Sequence, residues 1–278
     1  MALANYFLFL AFFCQISILS LGAKESSGSD DVYQIGIGGP DSELKNPNFL
    51  NNVDSLLSNL ISESSLGFFN TSTGDDDSDR AYGFYLCRGD ISANKCNNCL
   101  KDVRQYLLNR RPFESYSNII AYNTDLQCVV HYANDSRPFV YRENNTFTGA
   151  GFGDDLAQNQ QYNTTLMSTL QELAREASYG NWTKANFATK VVDVTGSQEK
   201  IYVLVQCTPD ISAMNCSNCI SNLYSTFRPV AIGGRVLGFN CLMKFNNEPF
   251  FSNGYRNFMA SYFLMILVLL STTYITLM

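Results

Sequence analysis

The cysteines are the residues in this sequence whose spacing most directly suggests chemistry. They form two C-x8-C-x2-C triplets, and each member of the first lies 120 residues before its counterpart in the second: Cys87, Cys96 and Cys99, then Cys207, Cys216 and Cys219. One further cysteine follows each triplet, Cys128 in the first case and Cys241 in the second. Cysteines with this spacing could form disulfides, bind zinc, or supply a redox-active C-x2-C pair.

Disulfides are favoured over the other two possibilities. A zinc site is disfavoured because the two C-x2-C pairs are 120 residues apart and the chain is expected in an oxidising compartment. A redox-active pair is disfavoured because each cysteine has a plausible structural partner. Four cysteines allow three pairings, and we favour those in which the first bond joins a strand end to the helix beside it: Cys87–Cys96 with Cys99–Cys128, and Cys207–Cys216 with Cys219–Cys241.

The rest of the composition offers little for catalysis or for nucleic-acid binding. The 278 residues contain one histidine, His131, which leaves little room for histidine acid–base catalysis or a multi-histidine metal site. With 19 basic and 25 acidic residues the net charge is −6, and no basic run could neutralise a row of phosphates. The sequence therefore predicts a protein that is not an enzyme, binds no cofactor or metal, and has no nucleic-acid partner. His131 is expected to be a structural residue in a strand.

Both ends of the chain are apolar. Residues 1–23 carry no charged side chain and predict a secretory signal peptide cleaved near Ala23. Residues 258–278 are an uncharged segment long enough to span a bilayer as a helix. Two interpretations of this segment stay open: a retained membrane helix, or a signal exchanged for a glycolipid anchor near the small residues 252–254. Under both, the body of the protein is expected on the outer face of the plasma membrane.

Five N-x-S/T sequons agree with an extracellular address and predict a glycoprotein. They lie at Asn70, Asn134, Asn144, Asn163 and Asn181. The acidic run 75–79 is expected to be a solvated loop, because no glycine-spaced series of ligands surrounds it as in a calcium site.

The elements that must position the cysteines repeat with them. Apolar residues recur at helical intervals over 50–61 and 166–173, which predicts an amphipathic helix early in each module. A strand then leads to the first cysteine of each triplet, and Ser92 or Ser212 can cap a second helix that carries the C-x2-C pair. The strands are expected over 81–87, 118–122 and 127–133, and over 200–207, 235–240 and 241–245.

Two homologous modules follow from this repeat, residues 32–143 and 148–251. A module of about 100 residues can bury a modest core, so crosslinks contribute to its stability. The predicted fold is α+β: two tandem, disulfide-stapled modules, each with helices packed on one face of an antiparallel sheet.

The repeated C-x8-C-x2-C motif, with the wording YLCRGDIS in the first copy, resembles the plant ginkbilobin-homologous family, also called the stress-antifungal domain. The resemblance covers residues 32–251. Cysteine-rich receptor-like kinases, cysteine-rich repeat secretory proteins and plasmodesmata-located proteins contain this domain. It implies two helices against an antiparallel sheet of about five strands in each module. Family modules usually carry six cysteines, and both partners of the extra pair are missing from both modules here, which implies looser N-terminal strands.

The resemblance also implies one carbohydrate-binding candidate. The antifungal member of the family binds mannose through an Asn, an Arg and a Glu. Among the positions in the two modules that could match, Arg235 fits the arginine, whereas the glutamate position is Asn246. Glu248 lies close enough in sequence to substitute for it. The other interpretation of Arg235 is a surface strand residue.

These features predict a non-enzymatic cell-surface recognition protein of the plant apoplast, acting in defence or stress signalling or in plasmodesmal regulation. Its expected partners are other membrane or cell-wall proteins, receptor-like kinases among them, and glycans. The alternative is a secreted, mannose-binding antifungal protein.

Overall fold

The structure is a computed structural model and describes residues 32–37, 47–111, 116–136, 149–152, 160–180, 186–226 and 232–251. The expected signal peptide (1–23) and the expected anchor or anchor signal (258–278) lie outside these ranges. Among the helices within the ranges, none combines the length and the apolar character needed to cross a bilayer.

The first module is a five-stranded antiparallel sheet with two α-helices on one face. Its elements are β1 (Val32–Gly36), α1 (Pro47–Ser62), a 3-10 turn (Ser64–Leu66), β2 (Phe68–Thr73), β3 (Ala81–Cys87), α2 (Ala93–Arg110), β4 (Asn118–Asn123) and β5 (Cys128–Ala133). The strands lie in the order β1-β4-β5-β3-β2. At the centre of the sheet β3 pairs with β5, and Cys87 is the register partner of Cys128.

The second module repeats this arrangement. Its elements are β6 (Gly149–Phe152), α3 (Gln160–Tyr179), β7 (Phe187–Asp193), β8 (Lys200–Cys207), α4 (Ala213–Thr226), β9 (Gly234–Leu237) and β10 (Cys241–Asn246). The strand order is β6-β9-β10-β8-β7, and Cys241 is the register partner of Cys207. The predicted α+β class, with two helices on an antiparallel sheet in each tandem module, is confirmed.

A serine caps the second helix of each module. Before α2, Ser92 Oγ accepts a hydrogen bond from the Lys95 amide at 3.4 Å; before α4, Ser212 Oγ accepts one from the Asn215 amide at 3.2 Å. Each bond satisfies an amide that has no partner within the helix, so each cap determines where the helix starts.

The inner face of each sheet packs on its helices and forms a core. The buried leucine and valine side chains of α1 and α3 are at most 2% exposed, and burying one such side chain contributes about 1.5–3 kcal/mol. They include Val53, Leu57 and Leu60 in α1, and Leu166, Leu170 and Leu173 in α3.

Four disulfides join the central strands to the second helices. The bonds are Cys87–Cys96, Cys99–Cys128, Cys207–Cys216 and Cys219–Cys241, with Cα–Cα distances of 5.7 to 6.1 Å. This is the pairing that the sequence analysis favours. Because one bond attaches the helix to the preceding strand and the other to the last strand, each second helix is held to both central strands of its sheet.

The structure differs from the sequence pattern at several sheet positions. The pattern identifies neither β2 nor β7, which are edge strands of mixed exposure and lack the long apolar run of β3 and β8. The strand expected over 235–240 ends earlier, at Leu237, because the Gly238 amide bonds to the Cys241 carbonyl at 2.8 Å and closes a tight turn.

Candidate functional site at the module junction

The outer faces of the two sheets, opposite their helices, pack against each other. Successive side chains of a strand point to opposite faces, so in β3 Tyr85 packs in the core of its own module while Phe84 and Leu86 face the second module. The shared apolar cluster consists of Phe84, Leu86, Ile120, Tyr122, Leu126 and Val129 from the first module and Leu204, Leu237, Phe239, Leu242 and Phe251 from the second. Both faces of the central strands are therefore buried.

Gln206 connects the modules by hydrogen bonds to the backbone. Its Nε2 donates to the Cys87 carbonyl at 3.0 Å, and its Oε1 accepts from the Gly89 amide at 3.1 Å. The side chain is buried, so both polar ends need these partners. In the repeat, Gln206 corresponds to Leu86, which packs in the apolar cluster. The two sides of the junction are therefore not equivalent.

Arg88 is the buried charge of the junction. Its Nε and Nη2 donate to the two carboxylate oxygens of Asp90 at 2.6 and 3.0 Å. Its Nη1 also donates to the Asp125 carbonyl, and its Nη2 to the Phe250 carbonyl of the second module, both at 2.9 Å. The guanidinium lies 5.6 Å from the centre of the Phe250 ring. This single side chain therefore ties β3 to the end of the second module.

Lys244 of β10 is a second cation at the junction. Its Nζ is 3.0 Å from a carboxylate oxygen of Asp125 and 4.6 Å from the centre of the Phe250 ring. Burial lowers the pKa of Lys244, and the Asp125 carboxylate opposes this shift. The Phe250 ring thus lies within cation–π distance of both Arg88 and Lys244.

Arg235, the carbohydrate-binding candidate, also lies between the modules. Its guanidinium is 5.1 Å from the Tyr33 ring centre and 5.9 Å from that of Tyr122, and its Nη1 donates to the Thr124 carbonyl at 3.2 Å. The side chain is half-buried, so Arg235 is not an exposed surface residue of its strand. Its contacts are with the first module, which leaves less of the guanidinium for a sugar.

His131 is a fully buried residue of β5 on the same outer face. Its ring stacks on Phe239 of the second module at 5.4 Å and meets Phe84 edge-on at 5.4 Å. Its Nε2 lies 2.7 Å from Asn118 Oδ1, and because an amide oxygen only accepts, Nε2 is the donor. Burial lowers the pKa of His131 to about 3.

This pKa predicts a loss of stability in acid. An unfolded chain protonates His131 near pH 6.5, whereas the folded chain keeps it neutral down to about pH 3. Above pH 6.5, His131 is neutral in both states and its titration does not change the free energy of unfolding. Below pH 6.5, this free energy falls by up to about 1.4 kcal/mol per pH unit, which gives a loss of about 2 kcal/mol at pH 5. Denaturant unfolding of the wild type and of His131→Gln at pH 7, 6 and 5 measures the effect. The difference between the two proteins should change with pH, and parallel curves would contradict the prediction.

A groove of about 270 Å³ opens beside the junction and is lined by both modules. Its lining includes Leu66 of the first module, which is 61% exposed, and Phe187 of β7 in the second module. Gly89 passes directly under the Phe187 ring, where a Cβ atom would come within 2.7 Å of it. The wall also contains Ser65 and Ser92.

The lining of this junction groove suits reversible binding. Arg88 is its one ionisable lining side chain that is not in a disulfide, and its donors are already engaged by Asp90 and two carbonyls. Cys87 and Cys96 are bonded to each other. The groove therefore offers apolar contacts and hydroxyl hydrogen bonds, without an activated nucleophile or an acid–base pair among its lining residues.

The predicted glycosylation sites are spread over the surface. Asn70, in the edge strand β2, and Asn134, after β5, are exposed; Asn163, in α3, is half-buried. Asn144 and Asn181 lie outside the described residues. Within the described ranges, no three His, Cys, Asp or Glu side chains come together as a metal site.

Sequence reasoning missed most residues of the junction, although a signal was present. In β3 and β8, the runs FYLC and VLV are apolar at successive positions, which indicates burial on both faces. The helices of each module cover one face of its central strands, so the apolar side chains on the other face need a second surface to cover them. Gln206 and Arg88 had no such signal, because their partners in the other module are 117 to 162 residues away.

The sequence of this chain matches a known protein family and several known proteins. The family described as salt stress response/antifungal matches residues 40–135 and 150–248. Cysteine-rich receptor-like protein kinase 25 of Arabidopsis thaliana is 31% identical over 224 residues, which are 75% of this chain and 31% of that kinase. The antimicrobial ginkbilobin-2-like protein of Castanea crenata is 30% identical over 211 residues, which are 72% of this chain and 80% of that protein.

The solved tandem DUF26 ectodomain of the Arabidopsis thaliana cysteine-rich receptor-like protein PDLP8 has the same fold. It superposes with a TM-score of 0.60 and 15% identity, over 80% of this chain and all of that one. The chain spans 30 to 32% of the length of these receptor-like kinases.

Proposed function

This chain belongs to the salt stress response/antifungal family, and we propose that it is a non-enzymatic recognition protein that works outside the plant cell in defence or stress responses. The names of its relatives support this proposal, since they include receptor-like kinases, secretory proteins and an antimicrobial protein. The four disulfides agree with an oxidising, extracellular compartment.

The observation that carries the proposal is the junction groove. Its lining combines the exposed Leu66 of the first module, the half-buried Phe187 of the second, and the hydroxyl groups of Ser65 and Ser92. Apolar side chains in a rimmed groove are typical of protein–protein contacts, in which a few such residues supply most of the affinity. The partner is proposed to be an extracellular segment of a membrane or cell-wall protein, such as a receptor-like kinase.

Preorganisation of the groove supports the same proposal. Gln206 and Arg88 hold its two walls together through buried hydrogen bonds to the backbone. A groove that is already ordered loses little conformational entropy when a partner binds. A partner would therefore recognise the tandem and not either module alone.

A charge placed in the groove at Leu66 should weaken this recognition. Protein purified from plant cells that express the full-length chain is labelled and titrated onto plant cell surfaces. We expect saturable binding, and Leu66→Arg should weaken it at least about thirtyfold, since a hot-spot residue is worth about 2 kcal/mol or more. Met214→Arg is the matched control, because Met214 is 62% exposed on α4 and lies outside the groove. Equal binding by the two variants, or no saturable binding, would contradict the proposal.

We propose two possible sites of action outside the cell, the plasmodesmata and the general apoplast. A tag inserted after Lys24 of the full-length chain reports where the protein accumulates in leaf cells. Punctate sites in the wall would support a role at plasmodesmata, whereas even labelling of the cell surface would support a general apoplastic role.

A second candidate function is a secreted antifungal protein, favoured by the 80% coverage of the antimicrobial ginkbilobin-2-like relative. Inhibition of fungal growth by the purified protein would support it. If methyl mannoside relieved this inhibition, the protein would bind mannose, and Arg235 would be the candidate contact. Its contacts with Tyr33 and Tyr122 also make it part of the junction.

A further inference from the structure

A second groove, of about 500 Å³, runs between α1 and α2 on the helical side of the first module. We call it the α1–α2 groove. Its apolar lining is supplied by Ile61 and Leu108, and polar side chains of Lys101, Arg104 and Asn109 surround them. It lies on the opposite side of the sheet from the module junction, so an inference about it goes beyond the proposed function.

The spacing along α2 places the polar groups in a row. Residues 101, 104, 105 and 108 recur at helical intervals and therefore share one face. With a rise of about 1.5 Å per residue, Lys101 and Arg104 are separated by about 4.5 Å along the helix axis. This distance is comparable to the length of one sugar ring.

The groove is cationic on an acidic protein. The chain has a net charge of −6, yet α2 contains four basic residues and one acidic residue, Asp102. Arg104 Nη2 is paired with Asp54 at 2.5 Å, and Arg104 Nε is buried without a hydrogen bond. Among the described residues, none forms a hydrogen bond or an ion pair with the exposed Lys101 side chain. The groove thus presents the exposed Lys101 ammonium and, beside it, the guanidinium of Arg104, which Asp54 holds in place through one nitrogen.

The second module shows that this charge is not required by the fold. The 120-residue repeat places Ser221 and Tyr224 at the positions of the two cations, and the shared helical core spacing places Met167 at the position of Asp54. Tyr224 and Met167 pack against the core of the second module. The second module therefore folds with uncharged residues at these positions. Because the fold does not need the cations of the first module, they have a role other than stabilising it.

We infer that the α1–α2 groove binds an oligosaccharide that carries carboxylate groups. The two cations, one sugar ring apart, match successive uronate carboxylates, and the amides of Gln105 and Asn109 can bond to hydroxyl groups. The apolar pair Ile61 and Leu108 provides a surface for the C–H face of a sugar ring. A lipid surface fits less well, because the cations border a concave groove and no exposed apolar anchor protrudes beside them among its lining residues.

The test uses protein purified from plant cells that express the full-length chain, in a calcium-free buffer. Isothermal titration compares tetragalacturonate with its methyl ester, which is the same oligomer without charge. We expect the acid to bind at least about tenfold more tightly than the ester, as charge-assisted hydrogen bonds would give. Lys101→Ser, which installs the residue of the second module, should weaken binding of the acid about tenfold.

Lys95→Ser is the matched control, because Lys95 is an exposed lysine of the same helix that lies outside the groove. It should leave affinity unchanged, and circular dichroism should be the same for all three proteins. Equal weakening by both variants would show non-specific attraction and overturn the inference. Equal affinity for acid and ester, or tighter binding of oligoglutamate than of tetragalacturonate, would also overturn it.

Discussion

Replacing Arg88 by methionine should lower the free energy of unfolding by about 3–5 kcal/mol. The side chain is 4% exposed and that of Asp90 is 11% exposed, so the variant leaves a carboxylate with little access to water and no cation. It also removes the donors to the Asp125 and Phe250 carbonyls. Methionine nearly fills the same volume, so a cavity adds little to the effect.

Chemical denaturation of the purified protein measures this loss. Lys190→Met is the control, since the Lys190–Glu172 pair is half-exposed and should contribute less than about 1 kcal/mol. Adding Asp90→Asn to the Arg88 variant should restore part of the stability, because the unpaired charge is removed. If Arg88→Met and Lys190→Met lower the midpoint equally, the buried hydrogen-bond network is not important for folding.

Removing the Cys99–Cys128 disulfide by a double substitution to serine should cost about 3–4 kcal/mol. The bond closes a separation of 29 residues and attaches α2 to the central strand β5. In the chain-entropy account, a longer closed loop restricts the unfolded chain more and so stabilises the fold more.

The Cys87–Cys96 bond provides the matched comparison within the same module. Its separation is 9 residues, so the same substitution should cost about 2.5 kcal/mol, about 1 kcal/mol less. Unfolding of the two double variants under non-reducing conditions tests the order. The reverse order would show that packing of the buried sulfur atoms, rather than chain entropy, determines the contribution of each bond.

Local features of the fold could be predicted from the residues alone. The strands Ala81–Cys87 and Lys200–Cys207 have the bounds that their apolar runs indicate. Ser92 and Ser212 cap the second helices because a side-chain oxygen there needs only an amide three residues away. The family resemblance, in turn, implied five strands, including the edge strands that the pattern did not identify.

Site residues were predicted less completely. The sequence makes Arg235 a candidate for sugar binding, which stays a prediction, but it does not indicate that the guanidinium lies against two tyrosines of the other module. Leu66 and Phe187, which border the junction groove, carried no signal in the sequence. An exposed leucine after a helix has no distinctive local pattern, and only the tertiary structure shows which residues form a groove with it.

The sequence by itself determined the duplication, the helices with their caps, the central strands and a favoured disulfide pairing. The duplication is recorded by the 120-residue offset of the cysteines, and the other features depend on spacings of at most a few tens of residues, which periodicity and cysteine positions record directly. Only the tertiary structure decided which sheet faces meet, why His131 is neutral, and what Arg88 and Gln206 hold together. The contacts between the modules join residues more than 100 positions apart, and no local pattern encodes which distant surface will exclude water from a given side chain.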